Sequence, residues 1–360
     1  HSTLSDGERF DEWRRIRDGK AKVAVGPRSA IFAPFPNLGM IVVDEEHEYS
    51  YKQDESPRYH ARDAAIKLGE ISQAIVILGS ATPSIETYFR AKQGKYVYLS
   101  LPNRVGNRQL PEIDIIDMRV KDTDIPKRTV ISGILRGEIE NCLLKKEQVF
   151  LFLNRRGTAS FLQCKECGHT FYCKNCSVSL TFHAAEKLNR CHYCDYHVPV
   201  PDTCPECKGI KINYTGTGTQ KIEDDCCRLF PMAKILRMDR DTTRTKHAYH
   251  MIFKKIEKRE VDILIGTQMI AKGHDFPFVT LVGVVAADLS LNIPDFRSGE
   301  RTFQLMTQVA GRSGRGDLTG KAVVQTYNPN NDILKHGKNY DYKNFAEREI
   351  EWRERLGYPP

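Results

Sequence analysis

The sequence of 360 residues contains no apolar run long enough to cross a membrane. A membrane-spanning helix needs about 18 consecutive apolar residues, whereas the longest apolar runs, such as residues 149–153, have the length of a strand. A charged and apolar leader that would direct secretion is also missing. Because 40% of the residues are hydrophobic and 28% are charged, the composition is that of a globular protein and excludes the disordered class. We therefore expect a cytoplasmic protein of about two domains.

A phosphate-binding loop with the pattern Gly-x-x-x-x-Gly-Lys-Ser/Thr is absent as well. The glycine-rich segment 216–221 carries its lysine at the wrong position for such a loop, and we predict that it begins a helix. The sequence starts at His1 and ends at Pro359 and Pro360, in mid-segment at both ends. We therefore expect the chain to be a fragment of a longer protein.

An excess of acidic residues is the third absence. The chain has 54 Lys and Arg residues against 46 Asp and Glu residues, which gives a net charge of +8. A basic balance of this size mildly favours contact with a polyanion such as nucleic acid.

Cysteine is scarce except in one window of the chain. Of the 11 cysteines, all but Cys142, Cys226 and Cys227 lie in the window 164–207, as four Cys-x-x-Cys pairs. Two thiolates three positions apart can reach one ion from a tight turn, and a tetrahedral zinc ion needs four ligands. The window therefore predicts two structural zinc ions. The alternative is a disulfide framework, which the expected cytosolic setting disfavours because disulfides rarely persist there.

The spacing leaves the pairing of the cysteines open, because four pairs can share two ions in three ways. A nested arrangement would bring the two ends of the window together, as an insertion into another domain requires. It places Cys164, Cys167, Cys204 and Cys207 on one ion. It places Cys173, Cys176, Cys191 and Cys194 on the other. Since the cysteines already supply every ligand, we expect the histidines of the window to lie at the surface or behind the ligands.

The sequence on either side of the window alternates short apolar runs with helical patterns. The runs that predict strands are 22–25, 40–43, 75–78, 149–153, 263–265, 280–285 and 322–326. The patterns that predict helices include 60–71, 131–144 and 302–309. Apolar strands that alternate with helices predict an α/β fold with parallel sheets covered on both faces. Ligands of such sheets bind beyond the carboxyl ends of the strands.

Unusual polar residues follow several of these strands. Adjacent carboxylates at 44–46 lie at the end of one strand, as in sites that hold Mg²⁺ beside a nucleotide; a solvated acidic loop is the alternative. Small hydroxyl residues, Ser80 and Thr82, follow the next strand. Arg312 and Arg315 lie three positions apart on one helical face, where two cations repel each other unless they meet an anion. A phosphate group is the natural anion for this position.

In this order, the motifs resemble those of superfamily 2 helicases: Asp-Glu-x-His at 44–47, Ser-Ala-Thr at 80–82 and Gln-x-x-Gly-Arg-x-x-Arg at 308–315. More narrowly, the chain resembles the replication-restart helicases of the primosome. That resemblance rests on four features: Gly-Pro-Arg-Ser-Ala at 26–30, the acidic box at 44–47, Asn-Arg-Arg-Gly at 154–157 before the cysteine window, and 266–276 with Asp-Phe-Arg at 295–297. Pro27 departs from the family pattern, in which a threonine is expected.

The resemblance implies RecA-like P-loop NTPase helicase lobes with ATP and Mg²⁺ as cofactors. The first lobe would span residues 1–100 and the second would span 101–330. The two-zinc insertion at 164–207 would lie within the second lobe, and residues 331–360 would start a C-terminal domain.

The resemblance also implies roles for individual residues. Asp44 would hold Mg²⁺, and Glu45 would orient and deprotonate the attacking water. The other residues implied in catalysis are His47, Arg312 and Arg315. The residues implied in ATP binding and its coupling to lobe motion are Ser80, Thr82, Gly273, Asp275 and Gln308. The residues implied in DNA binding are Arg28, Ser29, Tyr51, Lys52, Tyr59, Thr267 and Gln268.

The implied function is that of an ATP-dependent 3′–5′ DNA helicase that recognises stalled or abandoned replication forks and initiates primosome assembly. The implied partners are forked and single-stranded DNA, single-stranded-DNA-binding protein and other primosome components, in the bacterial cytoplasm at the nucleoid. Because the phosphate-binding loop is absent, we do not expect the chain as given to turn over ATP.

Two alternatives compete with the helicase interpretation. One is a zinc-stabilised DNA-binding scaffold on a RecA-like frame without ATPase activity, which the intact charges of Asp44, Glu45 and the two arginines disfavour. The other is a nuclease or transferase that uses the carboxylates at 44–46, which the lack of further metal ligands disfavours.

Overall fold

The computed structural model describes residues 4–101, 109–120, 129–154, 161–183, 188–215, 218–239, 242, 248–267, 276–314 and 319–360. The chain forms two compact units, His1–Val97 and Tyr98–Pro360. Among the described residues, no helix combines the length and the apolar character that crossing a membrane requires.

The first unit is built on two parallel strands. Its elements are α1 (Asp6–Arg17), β1 (Met40–Val43), β2 (Lys52–Gln53), β3 (Tyr59–His60), α2 (Ala61–Ser72), β4 (Ile75–Leu78) and α3 (Ile85–Lys92). β1 pairs with β4 from Met40↔Ile75 to Val43↔Leu78, so the carboxyl ends of the two strands meet at one edge. Both strands have the bounds that the sequence predicts.

The strand predicted at residues 22–25 is wrong. Within the described part of the chain these residues pair with no strand, and the side chains of Val23 and Val25 are 77% and 94% exposed. An alternating apolar pattern forms a stable strand only where a neighbouring strand accepts its backbone hydrogen bonds, and the described residues place no such strand beside this segment.

The second unit contains the larger sheet and the cysteine window. Its elements up to the end of the window are β5 (Glu112–Asp117), α4 (Gly133–Leu144), β6 (Gln148–Phe152), β7 (Phe161–Cys164), β8 (Thr181–His183), β9 (Leu188–Arg190), β10 (His197–Pro199) and β11 (Ile212–Thr215). The elements that follow are α5 (Thr219–Leu229), β12 (Ile235–Met238), α6 (Ala248–Glu257), β13 (Ile263–Gly266), β14 (Val279–Val284), α7 (Asp288–Leu291), α8 (Ser298–Ala310), β15 (Lys321–Thr326), α9 (Asp332–Lys338) and α10 (Tyr342–Leu356).

The large sheet has the order β12-β13-β6-β14-β15-β5, and every neighbouring pair in it is parallel. β6 is buried along its whole length. Val149 and Leu151 pack with α4 and α5 on one face, whereas Phe150 and Phe152 pack with α6 and α8 on the other. Helices therefore cover both faces, which confirms the predicted α/β fold class and explains why the strands are continuously apolar.

The cysteine window is an insertion between β6 and α5. β7 leaves near the carboxyl end of β6, and β11 returns beside it in antiparallel pairing, with Ile212 opposite Cys164. This two-stranded stem brings the ends of the window together, and the predicted helix start at Thr219 follows directly. Between the stem strands, β8, β9 and β10 form a small antiparallel sheet.

Residues 331–360, which the sequence assigns to the start of a further domain, lie within the second unit. The ring of Phe345 on α10 stacks on that of Phe303 on α8, with the ring centres 4.4 Å apart. The side chain of Arg353 is completely buried, and its guanidinium donates to Glu300 at 2.6 Å and to Glu349 at 3.0 Å. Two buried carboxylates and one guanidinium thus join α10 to α8.

We predict that Arg353→Met destabilises the second unit by about 3–5 kcal/mol, because it leaves two buried carboxylates without their cation. Arg355 on the same helix is a matched control, since its side chain is 80% exposed and lies 3.8 Å from Glu351. Arg355→Met is expected to change the free energy of unfolding by less than about 0.5 kcal/mol. Urea denaturation followed by circular dichroism measures both, and equal losses would contradict the buried ion pair's importance.

Candidate nucleotide and zinc sites

The acidic segment 44–47 and the hydroxyl-bearing segment 79–82 meet at the carboxyl edge of the small sheet. The Gly79 N–H donates to the Val43 carbonyl at 2.9 Å, and the Glu46 N–H donates back to the Gly79 carbonyl at 3.0 Å. Parallel pairing of β1 and β4 therefore fixes the two motifs against each other.

The predicted catalytic residues of this unit have distinct environments. Asp44 is exposed, and its carboxylate accepts the Glu45 N–H at 3.0 Å. Glu45 has a φ of 48°, a left-handed conformation that few residues with a side chain adopt. Its carboxylate lies 3.6 Å from Nδ1 of the almost fully buried His47. His47 Nδ1 in turn lies 2.6 Å from the Ser80 hydroxyl, which accepts the Thr82 N–H at 2.9 Å.

Glu46, which the sequence motif treats as a variable position, is buried and fully engaged. It accepts the Ser84 N–H at 2.6 Å, the Arg62 guanidinium at 3.1 Å and the Thr87 hydroxyl at 3.0 Å. These bonds tie the end of β1 to α2 and to the start of α3. Since both oxygens of Glu46 have partners, this carboxylate is a brace for the segment, and Asp44 and Glu45 are the ones left for chemistry.

Two of the predicted DNA contacts also brace the loop that follows the acidic segment. The Arg28 guanidinium donates to the backbone carbonyls of Ser50 and Lys52 at 3.2 and 2.7 Å. The Tyr51 hydroxyl donates to the Asp44 carbonyl at 2.7 Å. Burial, and then the negative charge of Asp44, raise the pKa of Tyr51, so this hydroxyl keeps its proton.

The other predicted DNA contacts of the first unit are at its surface. Lys52 and Ser29 are exposed, and Lys52 lies 3.6 Å from Asp54. The half-buried Tyr59 ring meets Phe32 edge-on, with the ring centres 5.1 Å apart. A role for these residues in binding DNA stays a prediction.

The predicted site residues of the second unit are only partly described. Thr267 follows β13 and is half-buried, and Gln308 and Arg312 are half-buried at the end of α8. Gln268, Gly273, Asp275 and Arg315 lie outside the described residues, as do residues 155–157.

The eight cysteines of the window form two clusters in the nested arrangement. One contains Cys164, Cys167, Cys204 and Cys207, and the other contains Cys173, Cys176, Cys191 and Cys194. Within each cluster the sulfur atoms lie within 4.8 Å of one another, for example 3.6 Å from Cys164 to Cys207 and 3.5 Å from Cys173 to Cys194. A tetrahedral zinc ion with bonds of about 2.3 Å places its sulfurs about 3.8 Å apart. Both sets fit zinc, and none of these cysteines forms a disulfide.

All four pairs fold into the same turn. In each, the residue directly after the second cysteine donates its N–H to the carbonyl of the first, at 2.9 to 3.1 Å. That residue has a positive φ in every case, and the four are Gly168 at 83°, Ser177 at 52°, Asp195 at 62° and Lys208 at 60°. Of these four residues, only Gly168 is of a type that predicts a positive φ from the sequence. It also needs to be glycine because a Cβ there would lie 2.0 Å from the Tyr327 carbonyl oxygen.

The negative charge of four thiolates in each cluster requires a cation to balance it. The Tyr196 N–H lowers the pKa of Cys194 to about 6, which favours the thiolate. Burial, and then the neighbouring Cys194 and Cys191 thiols, raise the pKa of Cys176 to about 12. Four thiolates are thus unfavourable together unless an ion balances their charge. Zinc bound by four thiolates is a structural site with no open position for catalysis.

Comparison with known proteins finds a family model that matches part of the cysteine window. A family model described as "PriA DNA helicase Cys-rich region (CRR) domain" matches residues 173–199, the stretch that carries the second cluster. The whole chain is 49% identical to Replication restart protein PriA of Bacillus subtilis (strain 168) and covers 45% of that protein. It is 45% identical to Replication restart protein PriA of Rickettsia typhi, again over the whole chain, and covers 55% of that protein. The chain spans about half the length of the curated relatives it matches.

The resemblance to the replication-restart helicases is therefore confirmed along the whole chain. Among solved structures, "Structure of RecG bound to three-way DNA junction" aligns with a TM-score of 0.49 at 15% identity, covering 97% of this chain and 35% of that one.

We predict that complete removal of zinc unfolds the insertion while the large sheet of the second unit stays folded. Structural zinc sites supply about 10–16 kcal/mol of apparent folding free energy, and the small sheet β8–β10 has few other sources of stability. Cys173→Ser is expected to lose one zinc ion and the protection of this sheet. Cys227→Ser, a change at an exposed cysteine outside the window, is the control and should keep both ions.

Metal content and hydrogen exchange by mass spectrometry report the two effects separately. Unchanged protection of β8–β10 after the metal has gone would show that zinc does not hold the insertion together.

Proposed function

We propose that this chain is the motor portion of an ATP-dependent 3′–5′ DNA helicase that recognises stalled or abandoned replication forks and initiates primosome assembly. The observation that carries the proposal is the match over the whole chain, at 41–49% identity, to proteins named Replication restart protein PriA. The partners in this proposal are forked and single-stranded DNA, single-stranded-DNA-binding protein and other primosome components, in the bacterial cytoplasm at the nucleoid.

The geometry around the acidic segment supports ATP hydrolysis as the chemistry. Mg²⁺ held through Asp44 would neutralise charge on the phosphates of ATP. The Glu45 carboxylate is partly exposed to water, and its Oε2, which lies 3.6 Å from Nδ1 of His47, accepts no hydrogen bond from a described residue. An acceptor of this kind is suited to taking a proton from a water molecule, which is the role we propose for Glu45. A decayed site would have little reason to keep such an acceptor beside an exposed aspartate.

Contacts of the same segment support coupling between the ATP site and DNA. His47 joins the acidic segment to Ser80, and through Ser80 to Thr82. On the other side, the Tyr51 hydroxyl joins Asp44 to the loop that carries Lys52. We propose that DNA bound at this loop shifts the backbone of Asp44 through Tyr51, and that His47 passes the change on to the segment after β4.

The second unit carries two arginines to which the resemblance gives a role in hydrolysis. Arg312 and Arg315 would contact the γ-phosphate, where an arginine is typically worth about 10³–10⁵ in rate. Gly273, Asp275 and Gln308 would contact the nucleotide. Because no phosphate-binding loop occurs in the sequence, we propose that the chain as given does not hydrolyse ATP until the upstream sequence of its relatives is supplied.

In a chain extended by that upstream sequence, Glu45→Gln is expected to reduce DNA-stimulated ATP hydrolysis at least about 100-fold, because a general base contributes about 10²–10⁴. Glu55→Gln changes an exposed carboxylate in the following loop and should leave the rate unchanged. Phosphate release with and without forked DNA measures both variants.

Zinc content and circular dichroism should be the same in the two variants and in the unmodified protein. Absence of hydrolysis in the unmodified extended protein with both zinc ions bound would overturn the motor and favour the zinc-stabilised scaffold. Full hydrolysis in the Glu45 variant would remove the proposed role of this residue.

A further inference from the structure

An open pocket of about 320 Å³ lies in the second unit between the second cysteine cluster and the helices α8, α9 and α10. Aromatic side chains form much of its wall: Tyr172 from the cluster side, Phe296 before α8, and Phe345 and Trp352 on α10. Its volume falls in the range that accommodates a small ligand or one side chain of a partner.

One charged side chain reaches this pocket from a buried position. Glu349 is 8% exposed, and its Oε1 accepts the Arg353 Nε at 3.0 Å. No described residue donates a hydrogen bond to the other oxygen, Oε2. A Cβ at Gly299 would lie 3.5 Å from Oε2, so the glycine leaves the space beside that oxygen open.

Arg353 does not neutralise Glu349 alone, because it also pairs with Glu300 at 2.6 Å. Two buried carboxylates therefore share the guanidinium of Arg353. A buried carboxylate in this position is costly unless another cation or donor reaches it.

The other charged groups around the pocket already have partners. They are Asp295 with Arg301 at 2.7 Å, Asp332 with Arg348 at 2.8 Å, His336 with Asp341 at 3.2 Å, and Arg297 over the Phe296 ring at 4.2 Å. Glu349 is thus the buried carboxylate of the pocket wall, and its Oε2 is the oxygen that no donor from a described residue reaches. Burial raises the pKa of Glu349 to about 6 against the opposing charge of Arg353, so this carboxyl is ionised at pH 8 and mostly protonated at pH 5.

We infer that this pocket binds a ligand with a cationic group, a guanidinium or an ammonium, that donates to Glu349 Oε2 while its carbon chain lies against the aromatic walls. Charge-assisted hydrogen bonds and cation–aromatic contacts both favour such a group. The cation has two sources, an arginine or lysine side chain of a protein partner or a free polyamine. The inference does not rest on the proposed helicase activity, since no residue of the pocket belongs to the proposed ATP site.

The protein carries its own reporter for this test. Its two tryptophans are Trp13 and Trp352, so Trp13→Phe leaves the pocket tryptophan as the only one. In this background the zinc-loaded protein is titrated at pH 8 with N-acetylargininamide, N-acetyllysinamide and spermidine, and with N-acetylcitrullinamide as the uncharged isostere of the arginine probe.

The cationic probes are expected to cause saturable changes in Trp352 fluorescence, with Kd values on the order of 1 mM. The citrulline probe is expected to bind at least tenfold more weakly. An amino-acid probe that binds at least as tightly as spermidine assigns the site to a partner side chain. Spermidine that binds tighter than both assigns it to a polyamine. No saturation with any cation, or equal binding of the citrulline probe, overturns the inference.

Two further measurements assign the binding to Glu349. Glu349→Gln should weaken the cationic probes at least tenfold, whereas Glu351→Gln, at an exposed position on the same helix, should not. The Glu349 variant also disturbs Arg353, so a second measurement keeps Glu349 in place. In that protein the affinity for the cationic probes is measured from pH 8 to pH 5 and is expected to fall about tenfold as the Glu349 carboxyl protonates. The His336→Gln variant is expected to keep this pH dependence. If the dependence disappears in that variant, it comes from the histidine, which would contradict the role of Glu349.

Discussion

In both units of this chain, parallel strands bring their carboxyl ends to one edge of a sheet, and the polar segments that follow those strands meet there. In the first unit this constraint joins the acidic segment after β1 to the hydroxyl segment after β4 through backbone hydrogen bonds. In the second unit the same edge is organised by Asp288, a buried carboxylate after β14. It accepts the hydroxyl of Thr326, the last residue of β15, and the N–H of Tyr327, which follows that strand. Asp288 also accepts a hydrogen bond from the side-chain amide of Gln163 on β7, so one residue joins the sheet edge to the two-stranded stem of the cysteine window.

The cysteine window contacts the rest of the second unit near both of its clusters. Near the first cluster, the Lys165 ammonium lies 3.9 Å from the centre of the Tyr327 ring. Near the second, the Tyr172 hydroxyl donates to Asn292 at 3.0 Å, and the Tyr358 hydroxyl donates to the Cys176 carbonyl at 2.7 Å. A module of short strands cannot bury enough apolar surface to hold itself together. We expect metal ions to supply much of its internal stability, and these contacts fix its orientation on the sheet that carries it.

Local patterns in the sequence predict the parts of this structure that depend on neighbouring residues. The strands at 40–43 and 75–78 and the four cysteine turns follow from apolar runs and Cys-x-x-Cys spacing. The Cys-x-x-Cys spacing does not decide which pairs share an ion, because the nested pairing depends on β11 returning beside β7 from far along the chain. The helix predicted at 302–309 begins earlier, at Ser298, and its first turn carries Glu300, which is buried against Arg353 in a contact that periodicity does not reveal. Periodicity likewise does not reveal the roles of Glu46 and Glu349, since these depend on their contacts with Arg62 and Arg353.

The measurement that tests the proposed coupling of DNA to ATP most directly is the DNA stimulation of ATP hydrolysis in Tyr51→Phe, in the chain extended upstream. This change removes only the hydroxyl that donates to the Asp44 carbonyl at 2.7 Å. Hydrolysis without DNA is expected to persist, while its stimulation by forked DNA is expected to fall about five- to tenfold, since a hydrogen bond contributes about 1–1.5 kcal/mol. Stimulation equal to that of the unmodified protein would contradict a coupling that runs from the DNA loop to the acidic segment through Tyr51.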